Sequence, residues 1–365
     1  MPEDLAALDR PFTHPPEPSE LVTAAMQWHF APDTGCPFWL ERAKSLDFDP
    51  LHDVRSVADL SLFPDVADEL RDVPVRDLIP RGYGKRPDII GFYESGGTTG
   101  PPKRLPLIAE WADQLVGWTA ANMESRGVSM ESDWLALVPT GPHVFGELIR
   151  RQARLRGGTA FLIDMDPRWV KKCLALGHFK EAAEYAEHLI GQARNILETQ
   201  EIGVLVATPP LLERMARDDR LVELINSQVH SILWSGAHMD ADTRLLLTKE
   251  VFPGTRFHGG YGSTMILGGV DERAGSADGN ECVIDPFSPY ITFSVVDPET
   301  LSPVAYGERG RLLTRHVSRS MLLPNILERD VATRVCSPAG AAGDSVADVV
   351  PLPSVDERTL IEGVY

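Results

Sequence analysis

The sequence predicts an α/β fold that ends in a smaller β region. Between residues 89 and 258, short apolar segments alternate with longer segments in which apolar residues recur every three or four positions. This alternation is typical of a parallel sheet flanked by helices. After Asp285 the helical periodicity stops, and strand-like segments separated by turn-forming residues follow.

The N-terminal part predicts short helices. Apolar residues recur at helical spacing over residues 19–75, and this pattern is interrupted at four prolines, Pro32, Pro37, Pro50 and Pro64. Residues 1–18 are acidic and rich in proline, so we expect a flexible N-terminal extension there. The predicted domain boundaries are therefore 1–18 for the extension, 19–284 for the α/β core and 285–365 for the β subdomain and tail.

The core elements follow from local pattern. The strands are predicted at 89–93 (a buried strand), 104–108, 134–138, 159–163, 203–207, 231–234 and 255–258. The helices are predicted from about residue 110, at 144–154 and 180–199, after the proline pair 209–210, and at 241–251. In the β subdomain, strands are predicted at 290–296 and 310–317, and the Ala/Gly-rich stretch 338–343 is expected to be a loop.

Composition excludes several functions. The net charge is −18, which would repel a nucleic-acid backbone. No apolar stretch approaches the roughly 20 residues that a membrane span needs, and the N-terminus lacks the pattern of a secretory signal. We therefore predict a cytoplasmic protein with neither a nucleic-acid nor a membrane partner. The four cysteines lie far apart, which argues against a zinc site or a disulfide framework.

The strongest chemical signal is a loop between the first two predicted strands. It contains Ser95, Gly96, Gly97, Thr98, Thr99, Gly100 and Lys103. Glycines let the backbone approach an anion, hydroxyl groups donate hydrogen bonds and the lysine adds a positive charge. The loop differs from the Gly-x-x-x-x-Gly-Lys-Ser/Thr phosphate loop, because that order is absent and a strand follows. The sequence therefore predicts a phosphate site of another type.

Further segments extend this signal along the chain. They are Ser235-Gly236-Ala237-His238, the segment from His258 to Thr264, Gly307-Glu308-Arg309-Gly310-Arg311-Leu312, and the segment from Leu323 to Asp330. Together with the loop, they resemble in order and spacing the motifs of the superfamily of acyl-CoA synthetases, peptide-synthetase adenylation domains and luciferases. The resemblance covers roughly residues 90–335. It implies the N-terminal domain of an adenylate-forming enzyme, with two helix-flanked sheets and a small β subdomain.

This resemblance implies a site for ATP and Mg²⁺. Gly236 and Ala237 would form the turn beside adenine, Tyr261 would stack on the base, and Asp330 would accept hydrogen bonds from the ribose hydroxyls. Thr264 would donate to a phosphate oxygen and, with Lys103, act in catalysis. Gly260, Gly262 and Ser263 complete the nucleotide-binding set.

The acid substrate would lie near three residues. His143 occupies the place of the family's gate residue, and it would act in catalysis and substrate binding; capping of the following helix is the alternative. Trp234 and Met265 would flank the acyl pocket, with core packing as the alternative for both. Superfamily folds often pair as dimers, so a homodimer is also expected.

The chain departs from the family pattern at three places. Met265 stands where the family has a magnesium-binding glutamate, which leaves Glu94 as a weak candidate ligand for the metal. Glu328 and Arg329 replace the threonine and glycine that precede the ribose aspartate. Only 35 residues follow Asp330, so we expect the mobile C-terminal domain and its catalytic lysine to be absent.

The sequence therefore predicts ATP-dependent, AMP-forming activation of an aromatic carboxylic acid. In its length the chain resembles shortened family members of secondary-metabolite pathways. The resemblance is greatest to the adenylate-forming enzyme of phenazine (griseoluteate) antibiotic biosynthesis. The implied partners are a downstream reductase, a carrier protein or a subunit that transfers the acyl group to CoA. Two alternatives remain: a catalytically impaired module that binds nucleotide or aromatic acid as a scaffold, and an adenylate-forming enzyme with another acceptor, as in nitrite activation for diazotisation.

Overall fold

The computed structural model describes residues 3–96, 100–275 and 282–352. These residues fall into two compact units. Unit 1 contains residues 3–96, 100–118, 263–268 and 285–347, and unit 2 contains residues 119–262, 269–275, 282–284 and 348–352. The chain thus passes between the units several times.

Ten α-helices are described in these residues. They are α1 (Pro18–Phe30), α2 (Pro37–Arg42), α3 (Pro50–Asp53), α4 (Ala109–Ser125), α5 (Val144–Leu155), α6 (Pro167–Ala175), α7 (Phe179–Thr199), α8 (Pro209–Met215), α9 (Asp219–Gln228) and α10 (Ala241–Leu246). Helices α1, α2, α3, α6 and α8 begin with proline, whose fixed φ suits the first helical position. Among the described residues, no helix has both the length and the apolar character that a bilayer crossing requires.

The strands in the same part of the chain are β1 (Ile89–Glu94), β2 (Arg104–Ile108), β3 (Trp134–Val138), β4 (Ala160–Asp164), β5 (Val204–Ala207), β6 (Ser231–Trp234), β7 (Arg256–Ser263), β8 (Gly268–Asp271), β9 (Val283–Ile284), β10 (Ile291–Val296), β11 (Arg309–Val317), β12 (Leu322–Val335) and β13 (Ser345–Pro351). Most of the predicted core elements appear within one or two residues of these bounds.

Unit 2 is built on a six-stranded sheet in the order β4-β3-β5-β6-β7-β8. The first five of these strands are parallel to one another. Along β3 the side chains alternate between two apolar cores, with Leu135 and Leu137 on one face and Trp134 and Ala136 on the other. Helix α7 covers the first face, and α5 covers the second. Burial on both faces explains why the strands are apolar throughout.

In unit 2, adjacent strands end in register at one edge of the sheet. Ala207 pairs with Trp234, and Trp234 pairs with Gly259. The carboxyl ends of parallel strands are the usual place for ligands in open α/β sheets. The glycine turn after β6 and the last residues of β7 therefore lie at the edge where a ligand is expected.

Unit 1 joins the N-terminal helices to an antiparallel sheet. Strands β10, β11, β12 and β13 are neighbours in that order. The Trp39 indole donates a hydrogen bond to the Leu322 carbonyl at 2.8 Å, and Trp39 also packs edge-on against Phe63 at 5.4 Å between ring centroids. A separate antiparallel pair, β1 and β2, brackets the predicted phosphate loop.

The compact units group the chain differently from the predicted domains at two places. Residues 3–18 belong to unit 1, where Ala7 and Leu8 are buried and the Tyr290 hydroxyl donates to the Arg10 carbonyl at 3.0 Å. The N-terminal helices group with the β-strands after residue 285, whereas the sequence placed them with the α/β core. The N-terminal helices pack against those strands through their apolar faces. Residue patterns within a helix do not show which strands it will pack against.

Several elements were missed or misjudged. Helices α6 and α9 and strands β8, β12 and β13 were not predicted, and β1 is half-exposed along most of its length although a buried strand was expected. Strand β12 contains Pro324, Asn325 and a charged run, residues that are depleted in strands. Pairing with β11 overrides this poor propensity.

Two buried histidines make unit 1 sensitive to acid. Nε2 of His29 donates to the Ser318 carbonyl at 2.8 Å, and Nε2 of His316 is bonded to Ser318 Oγ at 2.9 Å. Burial lowers the pKa of His29 from 6.5 to about 4 and that of His316 to about 3. The unfolded chain binds more protons than the native state between these values and 6.5, so stability falls as the pH drops through this range.

We therefore expect the substitution His29→Gln, which keeps an N–H donor and cannot titrate, to reduce the acid sensitivity of folding. Below about pH 6, wild type should lose up to about 1.4 kcal/mol of unfolding free energy per pH unit relative to this variant. Urea unfolding at several pH values measures the difference. The exposed His188→Gln variant should keep the wild-type slope, and equal slopes for all three proteins would contradict the prediction.

Candidate functional site

The predicted phosphate loop begins and ends in a defined geometry in unit 1. The Ser95 amide donates to the Lys103 carbonyl, and the Lys103 amide donates to Ser95 Oγ, both at 3.0 Å. Ser95 therefore closes the base of the loop, and Gly96 follows it. Gly100 has a φ of 148°, a conformation that residues with a Cβ rarely adopt. Gly97, Thr98 and Thr99 lie outside the described residues.

A second basic side chain lies beside this loop. A Cβ placed on Gly100 would be 3.6 Å from Cζ of Arg71, so the guanidinium group packs close to the loop backbone. Arg71 also pairs with Asp68 at 3.1 Å. With the half-buried Lys103, it supplies positive charge where an anionic ligand would need it. The sequence analysis missed Arg71, because it comes from a short 3-10 turn far upstream of the motif.

The turn after β7 lies against the same region of unit 1. Thr264 Oγ1 donates to the Glu94 carbonyl at 3.4 Å, which places this predicted catalytic hydroxyl beside the strand leading into the loop. Ser263 Oγ accepts from the Met265 amide at 3.1 Å and donates to Glu328 Oε1 at 2.6 Å. Ser263 thus links the turn to β12.

Strand β12 has a bulge at the predicted ribose segment. Leu313 pairs with Leu327 and Arg311 pairs with Val331, so two steps along β11 correspond to four along β12. The surplus residues fall at 328–330. Bulges of this kind re-aim side chains and often lie beside active sites. The Arg311 guanidinium compensates for the interrupted ladder by donating to the Glu328 carbonyl, with Nε at 2.9 Å.

Glu328 and Asp330 of the bulge interact electrostatically, and Glu328 also interacts with Lys103 at the end of the loop. Burial, and next the charge of Asp330, raise the pKa of the Glu328 carboxyl from 4.5 to about 7, while the Ser263 hydroxyl and Lys103 act in the opposite direction. Burial also raises the pKa of Asp65, and Lys103 again opposes this. Lys103 is therefore electrostatically coupled to the β12 bulge and to Asp65. Glu328 was noted in the sequence only as a departure from the family pattern.

No metal cage is formed by the described residues. Across residues 3–96, 100–275 and 282–352, no three or more histidine, cysteine, aspartate or glutamate side chains are placed to hold a metal ion together. Arg104 Nε lies 2.8 Å from Glu94 Oε1, so the candidate metal ligand Glu94 is engaged in an ion pair.

Unit 2 contains the predicted adenine-binding residues. Gly236 follows β6 with a φ of 84°, and Ala237 completes the turn. Gly260, Tyr261 and Gly262 lie near the end of β7, with the Tyr261 side chain half-buried. The pairing of Trp234 with Gly259 brings these two segments to neighbouring positions. The structure thus brings together the unit 2 part of the predicted set.

A buried ion pair fixes the position of β7 in unit 2. Arg244 Nη2 donates to Glu272 Oε1 at 2.6 Å, and Glu272 Oε2 accepts from the Gly259 amide at 2.8 Å. A Cβ on Gly259 would lie 2.8 Å from the Trp234 ring, so only glycine fits there. This pair was not predicted from the sequence, because Arg244 and Glu272 come from separate elements and have no motif around them.

The predicted substrate residues take ordinary structural positions. Trp234 and Met265 are 5% and 3% exposed; Trp234 belongs to the apolar core of unit 2, and Met265 lies in a 3-10 turn of unit 1. His143 precedes α5 without capping it through its side chain, and it is half-exposed. One turn into α5, Glu147 pairs with Arg150 at 3.1 Å. The role of His143 at a substrate stays a prediction.

The fold is shared with a CoA ligase of known structure. A structure of 2-hydroxyisobutyryl-CoA ligase with 2-HIB-AMP and CoA in the thioesterification state matches 92% of this chain and 68% of its own, with a TM-score of 0.66 and 15% identity. A postadenylation structure of that ligase with R3-HIB-AMP matches 94% of this chain and 68% of its own, with a TM-score of 0.65 and 14% identity. This likeness confirms the predicted fold class.

The chain spans about two thirds of the length of these ligases. No protein-family model matches the sequence, and a search of curated proteins found no match either. At 14–15% identity, the likeness establishes the fold alone.

The buried pair in unit 2 yields a stability prediction. Replacing Glu272 with Ala leaves the Arg244 charge buried and the Gly259 amide without its acceptor, so the free energy of unfolding should fall by about 3–5 kcal/mol. Chemical denaturation measures the loss. Glu184→Ala, which breaks the exposed pair with Lys180, is the matched control and should change stability little. A loss as small as that of the control would show that the buried pair does not stabilise unit 2.

Proposed function

We propose that this chain binds ATP and activates a small carboxylic acid as its acyl-adenylate. The observation that carries this proposal is the arrangement in unit 1, where a glycine- and hydroxyl-rich loop ending on Lys103 lies beside Thr264 and is coupled to the β12 bulge carrying Asp330. The likeness to a ligase whose structures contain an acyl-adenylate supports the same chemistry.

Each polar group has a role suited to its chemistry. Lys103 and the loop amides would balance the charge of the polyphosphate, and the Thr264 hydroxyl would donate to a phosphate oxygen. The Asp330 carboxylate would accept from the ribose hydroxyls. Mg²⁺ brought in with ATP would be held mainly by phosphate oxygens and water, and it would neutralise phosphate charge.

The reaction is a displacement at phosphorus. A carboxylate oxygen of the acid attacks the α-phosphorus of ATP, the bond from that phosphorus to the bridging oxygen breaks, and pyrophosphate leaves with the electron pair. No proton has to be removed from the attacking carboxylate. The protein therefore acts by positioning the reactants and by electrostatic stabilisation of the developing charge.

We further propose that the acid is aromatic, for example a phenazine carboxylate. The resemblance to shortened enzymes of secondary metabolism supports this choice, and His143 at the head of α5 is the candidate gate residue. The acyl-adenylate would pass to a reductase, a carrier protein or a partner that transfers it to CoA. Activation of nitrite for diazotisation remains an alternative fate of the same adenylating chemistry.

A scaffold that binds nucleotide without turnover is the second candidate. Met265 favours it, because its buried thioether provides no hard ligand for Mg²⁺ where the family has a carboxylate. The arrangement of Lys103, Thr264 and Asp330 favours the enzyme, since these groups would have no evident use without a nucleotide.

The decisive test combines nucleotide binding with pyrophosphate release. We expect Mg·ATP to bind in a calorimetric titration and pyrophosphate to appear only when an acid is present. Lys103→Ala should lower kcat/KM by about 100-fold, because a charge that stabilises the transition state is lost. Asp330→Asn should weaken ATP binding by about 10-fold or more, because a hydrogen bond to a charged acceptor is lost.

The exposed Lys85→Ala variant is the matched control, and it should behave as wild type. Binding of ATP without release of pyrophosphate under any condition would favour the scaffold. Absence of ATP binding would overturn both candidates.

The class of acid is tested separately. In a panel that includes phenazine-1-carboxylate, benzoate and short aliphatic acids, pyrophosphate release should be fastest with an aromatic acid. His143→Ala should change KM for that acid more than KM for ATP. A preference for aliphatic acids would contradict the aromatic assignment and leave the adenylating activity intact.

A further inference from the structure

Arg315 is a buried cation on β11 in unit 1. Only 7% of the residue is exposed, and Nη1 of its guanidinium group donates to Ser294 Oγ at 2.8 Å. Nε is buried without an acceptor among the described residues. The described carboxylate that acts on the group is Asp344, and it does so through its charge and without a hydrogen bond. A buried guanidinium is costly in this state, because nothing replaces the water that it has lost.

Asp344 is already engaged by a second arginine. Its Oδ2 atom lies 3.0 Å from Nε of Arg334, which comes from the end of β12, and it also accepts from the Val295 amide at 3.4 Å. Arg315 and Arg334 therefore share one carboxylate, and one positive charge of these three side chains is left uncompensated. Burial lowers the pKa of Arg315 from 12.5 to about 10, and the charge of Asp344 opposes this shift. The group stays charged near neutral pH, so it lacks a counterion.

Thr292 presents an unpartnered hydroxyl beside Arg315. The two residues are direct partners in the β10–β11 ladder, so their side chains stand on the same face of the sheet with Cβ atoms about 4.5–5.5 Å apart. Thr292 is 2% exposed, and its Oγ1 atom is buried with no hydrogen-bond partner in the described part of the chain. Ser294, two residues further along β10, shares this face. Three polar side chains from two strands thus come together there.

The loop that leads into β13 covers this part of the sheet. A Cβ built on Gly343 would lie 2.9 Å from the Thr292 Cβ atom and 2.8 Å from the Phe293 carbonyl oxygen, so the loop backbone packs directly on β10. The Asp344 amide then donates to the same carbonyl at 2.9 Å. The loop keeps bulk water away from the polar side chains, and electrostatic interactions are stronger where water is excluded.

We propose that Arg315 and Thr292 form a binding site for a small oxyanion, a phosphate or carboxylate group, and that Ser294 orients the guanidinium group. Ser294 binds Nη1, which leaves the edge formed by Nε and Nη2. Arginine uses such an edge to hold two oxygens of one oxyanion through parallel N–H···O bonds. The Thr292 hydroxyl would donate a further hydrogen bond to the same anion. Both unpartnered atoms and the uncompensated charge are then satisfied by one ligand.

This site is separate from the phosphate loop of the proposed function. Thr314 Oγ1 lies 3.4 Å from Glu328 Oε1, so Thr314 faces the β12 bulge. Arg315 is the next residue of β11, and successive side chains of a strand point to opposite faces. The oxyanion would therefore bind on the other face of β11 from the bulge, and the inference does not depend on ATP binding.

Thermal unfolding of the full chain at constant ionic strength tests the site. Chloride is replaced stepwise by inorganic phosphate in one series and by acetate in another, which distinguishes the two kinds of oxyanion. Wild type should gain about 2–4 °C in Tm when the better oxyanion reaches roughly ten times its Kd, because the anion binds the folded state. Chloride is a single atom that cannot use the guanidinium edge as two paired oxygens do. An equal Tm in chloride, phosphate and acetate would overturn the inference.

Three substitutions locate the gain. Arg315→Met keeps the apolar length of the side chain; it should abolish the gain and raise Tm in chloride, because a buried unpaired charge is removed. Arg315→Lys keeps the charge without the paired N–H groups and should weaken oxyanion binding by about 10-fold or more. Thr292→Val keeps the shape and removes the hydroxyl, so it should weaken binding by about 5–10-fold and fold as wild type does.

Arg309→Met is the matched control, since Arg309 is an exposed arginine of the same strand, and this variant should keep the wild-type gain. Lys103→Ala separates the site from the phosphate loop, and the gain should persist in that variant. A gain that is unchanged in both Arg315→Met and Thr292→Val would place the anion elsewhere and contradict the assignment. Loss of the gain in Lys103→Ala alone would do the same, because the oxyanion would then bind at the loop.

Discussion

The interruption of the β11–β12 ladder at residues 328–330 is the constraint on which the candidate site in unit 1 depends. A regular ladder would keep the backbone of this segment paired with β11. The bulge instead leaves the Glu328 carbonyl to Arg311 and directs the Glu328 carboxyl to Ser263. Through Ser263 the strand then controls the turn that carries Thr264. One local irregularity thus relates the Ser263 hydroxyl, Lys103 and the carboxylates of Glu328 and Asp65, which come from four separate parts of the chain.

In unit 2 a buried ion pair, Arg244 with Glu272, holds the end of β7 in position. The parallel sheet places the glycine turn after β6 and the end of β7 at one edge, but register alone does not fix how closely the two backbones approach. Glu272 provides this control by binding both Arg244 and the Gly259 amide. Gly259 permits the close approach because a side chain there would collide with Trp234. The buried Glu272 carboxylate is tolerated in such a core because Arg244 balances its charge and both of its oxygens accept hydrogen bonds.

The fold is shared with other proteins, whereas these two arrangements depend on particular side chains of this chain. The fold is shared with a CoA ligase at 15% identity, and that likeness alone does not specify an activity. In unit 1, burial and the charges of Asp330 and Asp65 disfavour the ionised form of Glu328, and Lys103 favours it.

The sequence by itself determined the α/β class and the order of the glycine-rich segments, because strand and helix periodicity and glycine-rich turns are properties of consecutive residues. It also predicted Lys103, Thr264 and Asp330 as members of one site. Only the tertiary structure placed Arg71 beside Gly100, paired Arg244 with Glu272, buried Trp234 and Met265 and grouped the N-terminal helices with the strands after residue 285. These features arise from contacts between residues distant in the chain, and neither propensity nor spacing encodes them.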